Sequence, residues 1–507
     1  MPSALRWSVL LSILSGVFAA GALAGSICHP DPAGTRTARV NGSVQHYTMR
    51  GGTVAIAYRV GDACRQIQWR IFGALTSPRG AADCARTSRL SAGGGRVTLV
   101  RGGSDEPDRL VVRSRGARHA WPLPERPSSL DAFGPTAVFS SDREVYTVGL
   151  NDGRVALVGP SKRGDTPQIE APGVVYQGNL YKRYERAGWT RMKFIPSVAV
   201  SRMLANVGKP VDLPGRIEGF SMDGNRIAVG VRPRGECASI LFWNVAWRYT
   251  AWISDDDELT CKLTGRGGEI RDVAIGGARA EWTIRSGSFD RVVSASSWAC
   301  IDRVAATARR SDGGAASVSG DASTLAYAVR SDRGRSWSLG AIGGRMRSTT
   351  LVTEAGVPLA LAADGNRMAV LKNDGSVELR AHDGTLLTTL DGVEATAISL
   401  RADQLVALTR AGRLAVFDLA TGTLRHSWAL PAGADNKVDA HFGVAVVTAG
   451  GNVYAISLRT GRIALVASAV IGAQAAIEAP GIAYGYNSGS RGSLRFIPFA
   501  RVEAALR

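Results

Sequence analysis

The 507-residue sequence predicts an all-β fold assembled from repeated units. Three observations predict it. Short apolar or alternating runs recur along the chain, separated by Gly, Asp and Asn turn signals. These runs fall into groups of about 40 residues, the length of one four-stranded antiparallel unit. The chain also repeats itself. Val145-Tyr146-Thr147-Val148-Gly149-Leu150-Asn151-Asp152-Gly153-Arg154-Val155-Ala156-Leu157-Val158 returns as Val453-Tyr454-Ala455-Ile456-Ser457-Leu458-Arg459-Thr460-Gly461-Arg462-Ile463-Ala464-Leu465-Val466. In the same register, Ile169-Glu170-Ala171-Pro172-Gly173 returns as Ile477-Glu478-Ala479-Pro480-Gly481.

The individual units follow the same logic. Arg367–Leu371, Ser376–Arg380 and Leu386–Leu390 read as strands, broken by the turns Asn373-Asp374-Gly375 and Asp383-Gly384. Gln404–Leu408, Leu414–Asp418 and Leu424–Trp428 repeat the pattern around Ala411-Gly412 and Thr421-Gly422. Val444–Val447, Val453–Ile456 and Arg462–Leu465 repeat it again around Gly450-Gly451 and Thr460-Gly461. A helical solenoid would sustain an apolar period of 3.6, and a sandwich would lack the fixed recurrence. The prediction is therefore one or more β-propellers of four-stranded blades, in which stacking buries both faces of each meander. Units near 218–262, 268–305, 315–350, 357–391, 395–428, 436–467 and 474–507 make a roughly seven-blade module. Units near 45–90, 91–125, 130–165 and 170–205 make a smaller homologous one, matching the first two and last two of the larger. The Gly/Pro-punctuated stretch from Asn206 to Gly215 separates domains 25–205 and 206–507.

Residues 1–24 read as a Sec-type signal peptide. Arg6 supplies the positive start, Ser8–Ala20 an uncharged apolar core, and Ala22-Leu23-Ala24 the small-residue cleavage site. The core is shorter than the roughly 20 residues of a spanning helix, so no membrane span is expected after cleavage. Cys28 does not sit in a lipobox, and no twin-arginine pair precedes the core. The expected address is extracellular or the cell envelope.

The formal charge of +18 would attract polyanions. Its cations are mostly scattered arginines without a basic tail, so no specific nucleic-acid partner is indicated.

Six cysteines, all beyond the cleavage site, suit an oxidising compartment. Thr53–Ala57 leads to Cys64 as Arg226–Gly230 leads to Cys237, and Cys84 and Cys261 follow at similar spacing. The expected bridges are Cys64–Cys84 and Cys237–Cys261, with Cys28–Cys300 left by elimination. No C-x-x-C pattern suggests zinc.

Asp255-Asp256-Asp257-Glu258 is the acidic cluster that could hold Ca²⁺. It lacks the Asp-x-Asp-x-Asp-Gly spacing, and a solvated acidic loop competes with that reading. No other cofactor is expected. Trp243, Trp247 and Trp252 could line a sugar-binding face or pack between units. His29, His46, His119, His382, His426 and His441 stand isolated, and no nucleophile or metalloprotease motif occurs.

Val416-Phe417-Asp418-Leu419-Ala420-Thr421-Gly422-Thr423-Leu424-Arg425-His426-Ser427-Trp428 resembles the quinoprotein-like (PQQ-like) repeat of secreted bacterial propellers, and also looks like a degenerate WD40-type repeat. The resemblance implies the fold and a Trp packed between blades. It does not carry dehydrogenase activity, since neither a vicinal Cys pair nor a ligand set for a quinone cofactor is found. Asp332-Arg333-Gly334-Arg335-Ser336-Trp337 resembles an Asp-box, with Arg330 where that motif has Ser; it implies a structural turn.

The leading expectation is a secreted, non-catalytic scaffold that binds a protein or a polyanionic envelope polymer through a ring face. The alternative is an extracytoplasmic glycan-active hydrolase or lyase, or a quinoprotein-type oxidoreductase.

Overall fold

A computed structural model gives the fold. It describes residues 35–507 except 51–52, 62, 72–74, 77–95, 101–106, 115–116, 142–143, 179–188, 225, 245–248, 253–267, 277–278, 287–288, 297–300, 310–314, 321–324, 332–335, 343–347, 356–357, 366, 402–403, 469–472, 479–480 and 490. The chain is all-β, with eleven antiparallel sheets among the described residues. Numbered along the chain, sheets 1 to 4 span 43–76, 96–122, 129–160 and 168–196. Sheets 5 to 11 span 216–252, 269–309, 315–355, 358–390, 395–429, 434–468 and 474–498. Each runs as a meander, so strand order follows sequence order.

Two sheets depart from that rule. Sheet 4 takes its outer strand, Arg36–Asn41, from before sheet 1. Sheet 11 takes its outer strand, Val211–Leu213, from before sheet 5. The expected units 170–205 and 474–507 therefore do not end in a strand of their own. Each ends in a helix, α1 (Ser197–Asn206) and α2 (Phe499–Ala505). Both helices follow the same words, Phe194-Ile195-Pro196 and Phe496-Ile497-Pro498, which extend the internal duplication. Proline suits a helix start, where the missing N–H would have had no intrahelical acceptor.

The first strands of sheets 5 to 11 pack beside one another in order, and the first strand of sheet 11 returns to that of sheet 5. In the N-terminal group, sheet 1 shares a core with sheet 4, sheet 4 touches sheet 3, and sheet 3 shares a core with sheet 2. One apolar core crosses the expected domain boundary. It joins Val158 and Tyr176 of sheets 3 and 4, the buried α1 face (Ala199, Val200, Met203, Leu204), and Ile227 and Phe496 of sheets 5 and 11.

Asp165 ties the N-terminal group together. Its carboxylate accepts from Tyr47 Oη of sheet 1 at 2.9 Å and from the Gln177 N–H of sheet 4 at 2.9 Å. Ser140 Oγ of sheet 3 donates to its carbonyl at 2.6 Å.

The duplication also places a tryptophan over a glycine twice. Trp121, on the last strand of sheet 2, covers Gly153 in a turn of sheet 3 and donates its indole N–H to Leu150 O at 3.0 Å. Trp428, on the last strand of sheet 9, covers Gly461 in the equivalent turn of sheet 10. Each indole stacks with the histidine two residues before it, His119 at 5.4 Å and His426 at 5.1 Å. Both glycines are left-handed, at φ +68° and +72°, so the turn and the indole each demand the absence of Cβ.

Two predictions follow from these contacts. Gly412 has φ +69° but open space around it, whereas a Cβ on Gly461 would overlap the Trp428 indole. Gly412→Ala is expected to lose about 1–2 kcal/mol from left-handed strain alone. Gly461→Ala is expected to lose more, with Gly422→Ala, where Leu390 Cδ2 lies at 3.0 Å, between them. Equal losses in urea unfolding would show that the indole contact carries no weight. For Asp165, burial outweighs its hydrogen bonds and pushes the carboxyl up to about 7. A carboxyl with a raised folded-state pKa binds its proton more tightly in the fold, so its contribution is fullest below about pH 4 and is lost as pH rises to about 7. Relative to Asp165→Asn, the thermal midpoint of the wild type should fall between about pH 4 and pH 7; parallel profiles would refute the assignment.

Candidate functional site

The first strands of sheets 5 to 11 enclose a cavity of about 570 Å³. Its apolar lining includes Phe220, Met222, Leu361 and Ile398, each on a first strand. Its ionisable lining is Arg271, Arg285, Arg330, Arg401 and Lys437, with Asp272 and Asp439.

Both aspartates are committed to backbone amides. Asp272 accepts from its neighbour Val273 N–H at 3.1 Å and from Val318 N–H of the next sheet at 3.1 Å. Asp439 accepts from Ala440 N–H at 2.9 Å and from Ile477 N–H of the next sheet at 2.9 Å. Asp131 repeats the arrangement in sheet 3, accepting from Ala132 N–H at 2.9 Å and Ile169 N–H at 3.0 Å. Other pairs of neighbours use other side chains. Glu218 accepts from Ile270 N–H at 2.9 Å, Ser319 from Ala363 N–H at 2.9 Å, and Ser399 from Ala440 N–H at 3.1 Å. Arg401 of sheet 9 pairs with Asp364 of sheet 8 at 3.4 Å. Asn487 of sheet 11 bonds both the N–H and the C=O of Ile217 in sheet 5, at 2.7 and 2.9 Å.

Arg401 also pairs with the buried Glu478, whose second oxygen lies 3.3 Å from His441 Nδ1. Burial works against the Arg401 charge, but Glu478, Asp439 and Asp364 outweigh it and hold its pKa above the usual value. Burial, then the Arg401 charge, push the His441 pKa well down, which favours the neutral imidazole beside Glu478. Burial raises the Glu478 carboxyl, and Arg401 opposes that rise. The N-terminal group meets this end of the strands. Arg226 of sheet 5 pairs with Glu144 of sheet 3, and Tyr146 Oη donates to Glu144 at 2.6 Å. Burial lowers the Arg226 pKa to about 10.

The remaining cations are differently engaged. Arg285 lies 3.5 Å from Asp290, and Arg330 Nη2 donates to Pro358 O at 2.8 Å. Arg271 pairs at 2.7 Å with Glu269, and both are about half exposed, a geometry in which an ion pair is worth little. Lys437 is exposed and has no ion pair among the described residues.

Most of the expected site residues fall outside the described residues. Asp255, Asp256, Asp257 and Glu258 lie outside the described residues, as do Cys28, Cys84, Cys261, Cys300, Trp247, His29 and Asp332. Cys64 sits on the third strand of sheet 1. Cys237 lies between the second and third strands of sheet 5 and is disulfide-bonded, with no free cysteine among the described residues. The pairings rest on the repeat alignment and, for Cys28–Cys300, on elimination. No cluster of His, Cys, Asp and Glu suited to a metal occurs among the described residues. Trp243 and Trp252 lie on strands of sheet 5. Trp337 is fully buried against sheet 8, with Lys372 Nζ at 4.9 Å from its ring. His441, isolated along the chain, lies 3.3 Å from Glu478. Sequence reading missed the aspartates on first strands, whose signal was the repeated Asp131-Ala132 and Asp439-Ala440.

No protein-family model matches the chain, and no curated protein is similar to it. Among solved structures, the chain is similar to the computationally designed Ika8 protein, at 13% identity and TM-score 0.37, over 74% of this chain and 97% of that one. A likeness at that score carries no argument. Among the described residues no helix is long and apolar enough to cross a membrane.

Asp439→Asn preserves size but replaces one accepting oxygen with a donor, leaving an amide N–H unanswered. It is expected to cost about 1.5–3 kcal/mol. Asp418→Asn, in a surface turn, is expected to cost less. Similar urea midpoints for the two variants would show that the bond between sheets 10 and 11 contributes nothing.

Proposed function

We propose that this chain is an exported, non-catalytic binding protein built of two β-propeller modules, a four-blade one followed by a seven-blade one. It engages a polyanionic envelope polymer or a protein at the mouth of the larger ring. One observation carries the reading. The carboxylates in the central cavity, Asp272 and Asp439, are occupied by backbone amides, while Arg271 and Lys437 stand exposed on its wall. General acid–base or metal chemistry needs carboxylates with oxygens to spare. Recognition of an anion needs cations that can leave weak partners. The succession of first strands from sheet 5 to sheet 11 and back supports the ring. The signal-peptide pattern of residues 1–24 and the proposed bridges Cys64–Cys84, Cys237–Cys261 and Cys28–Cys300 support export.

The test is retention on immobilised heparin, with Lys437→Glu/Arg271→Glu as the comparison. Diffuse attraction by the +18 charge is screened by about 0.15 M salt, whereas a formed site should hold the wild type to several hundred millimolar. The double variant should elute markedly earlier than its charge change alone predicts, judged against Arg491→Glu/Arg501→Glu on the surface of sheet 11 and α2. Identical elution of the two double variants would overturn the cavity as the site. Turnover of a glycan, or of an alcohol after PQQ reconstitution, would overturn the non-catalytic reading.

A further inference from the structure

A second concave site lies where the two groups of sheets meet. It has a volume of about 640 Å³ and shares no lining residue with the central cavity. Small-ligand sites span roughly 300–1,000 Å³ and favour such junctions. One wall is closed by Arg109 of sheet 2, which forks onto Glu503 of α2 at 2.6 and 3.4 Å. The other is formed by sheets 9 and 10 and carries Phe442, His426 and Arg459.

Phe442 is the unusual residue. It and Gly443 form the two-residue turn between paired His441 and Val444, with φ of +44° and +72°. A turn with both central residues at positive φ favours Asn, Asp or Gly in the first position. A bulky aromatic there is strained, because its Cβ crowds the following carbonyl oxygen. Such strain persists where the side chain is wanted for something else, and functional sites are where it collects. The competing reading is packing, because the half-buried ring also touches the core of sheets 10 and 11.

Charge points to the kind of ligand. The one carboxylate on the lining, Glu503, is taken by Arg109. Arg425 is paired with Asp418. Arg459 and Arg507 are exposed and have no ion pair among the described residues. The cleft thus offers uncommitted guanidinium groups, which match carboxylate geometry, beside flat aromatic surface from Phe442 and from His426, which Trp428 holds in place. A ligand with an apolar ring face and an attached carboxylate satisfies both.

We propose that this junction cleft binds an acidic saccharide, a sugar ring carrying a carboxylate, through Phe442 and Arg459. It is a site separate from the central cavity and does not depend on it. The test is calorimetric titration of the full chain with digalacturonate, lactose and sodium sulfate. Digalacturonate should bind at least about ten-fold tighter than lactose, a difference of about 1.4 kcal/mol. Phe442→Asn should weaken digalacturonate about ten-fold while leaving the thermal midpoint unchanged or raised, because Asn suits the turn. Arg459→Ala, on the surface, should weaken digalacturonate and leave lactose unchanged. Lys437→Glu should leave digalacturonate unchanged. Lactose binding equally well, or sulfate alone reproducing the affinity, overturns the proposal. So does a Phe442→Asn variant that loses stability but binds normally, which would make Phe442 a packing residue. Sensitivity to Lys437→Glu but not to Arg459→Ala would place the saccharide in the central cavity, refuting this site and favouring the ring-mouth reading.

Discussion

The structure depends on what happens to the backbone amides of the first strand in each sheet. That strand has a ladder partner on one side only, and in sheets 5 to 11 it lines the cavity beside the first strands of its neighbours. A buried N–H left without an acceptor costs about 1–3 kcal/mol. Polar side chains of the neighbouring sheet answer it. Six of the seven junctions around sheets 5 to 11 have such a bridge, from Glu218, Asp272, Ser319, Ser399, Asp439 and Asn487, and at the seventh Arg401 pairs with Asp364 instead. The same constraint explains the cavity wall. Its acidic groups join strands: Asp272 and Asp439 each accept a backbone N–H from the next sheet.

Closure is the second consequence. A row of sheets has two raw ends, and unpaired edges invite association. Here the last sheet of each group borrows a strand from before the first, and one side chain then locks the join. Asn487 does this for sheets 11 and 5. Gln168 does it for sheets 4 and 1, accepting from Met49 N–H at 2.7 Å and donating to Tyr47 O at 3.1 Å. The two groups therefore share closing strand, locking amide, Pro-started helix and Trp-over-Gly wedge, although one has four sheets and the other seven.

This accounts for what could be read in the sequence. Strands and turns were legible because alternation and left-handed glycines are local properties. The wedge was legible in part: the motif ending in Trp428 implied a packed tryptophan, and His119-Ala120-Trp121 repeats it in the N-terminal group. The closing strands were not legible, since Val211-Asp212-Leu213 is too short to show a period. The helices were hidden behind Phe-Ile-Pro, which reads as the end of a strand. The bridging aspartates and the Arg401–His441–Glu478 cluster were invisible for a different reason. Successive members of the cluster lie 37 to 40 positions apart, and the aspartates 38 to 46 from the amides they join, about one repeat each, so they gather only when the units are laid on one another. A histidine that looks isolated along the chain is then one step from its partner across a sheet boundary.

The junction between the two groups combines an apolar contact with a buried ion pair, and the two do different work. The buried face of α1 supplies area, which favours contact without choosing a register. Arg226 and Glu144 are both largely removed from water, and such a pair recovers little more than its desolvation cost. Its effect is directional. A rotation that separated them would leave a buried guanidinium and a buried carboxylate without the hydrogen bond between them. The apolar face holds the groups together and the ion pair selects one orientation. That orientation keeps Arg109 opposite Glu503, and so keeps the wall of the junction cleft in place.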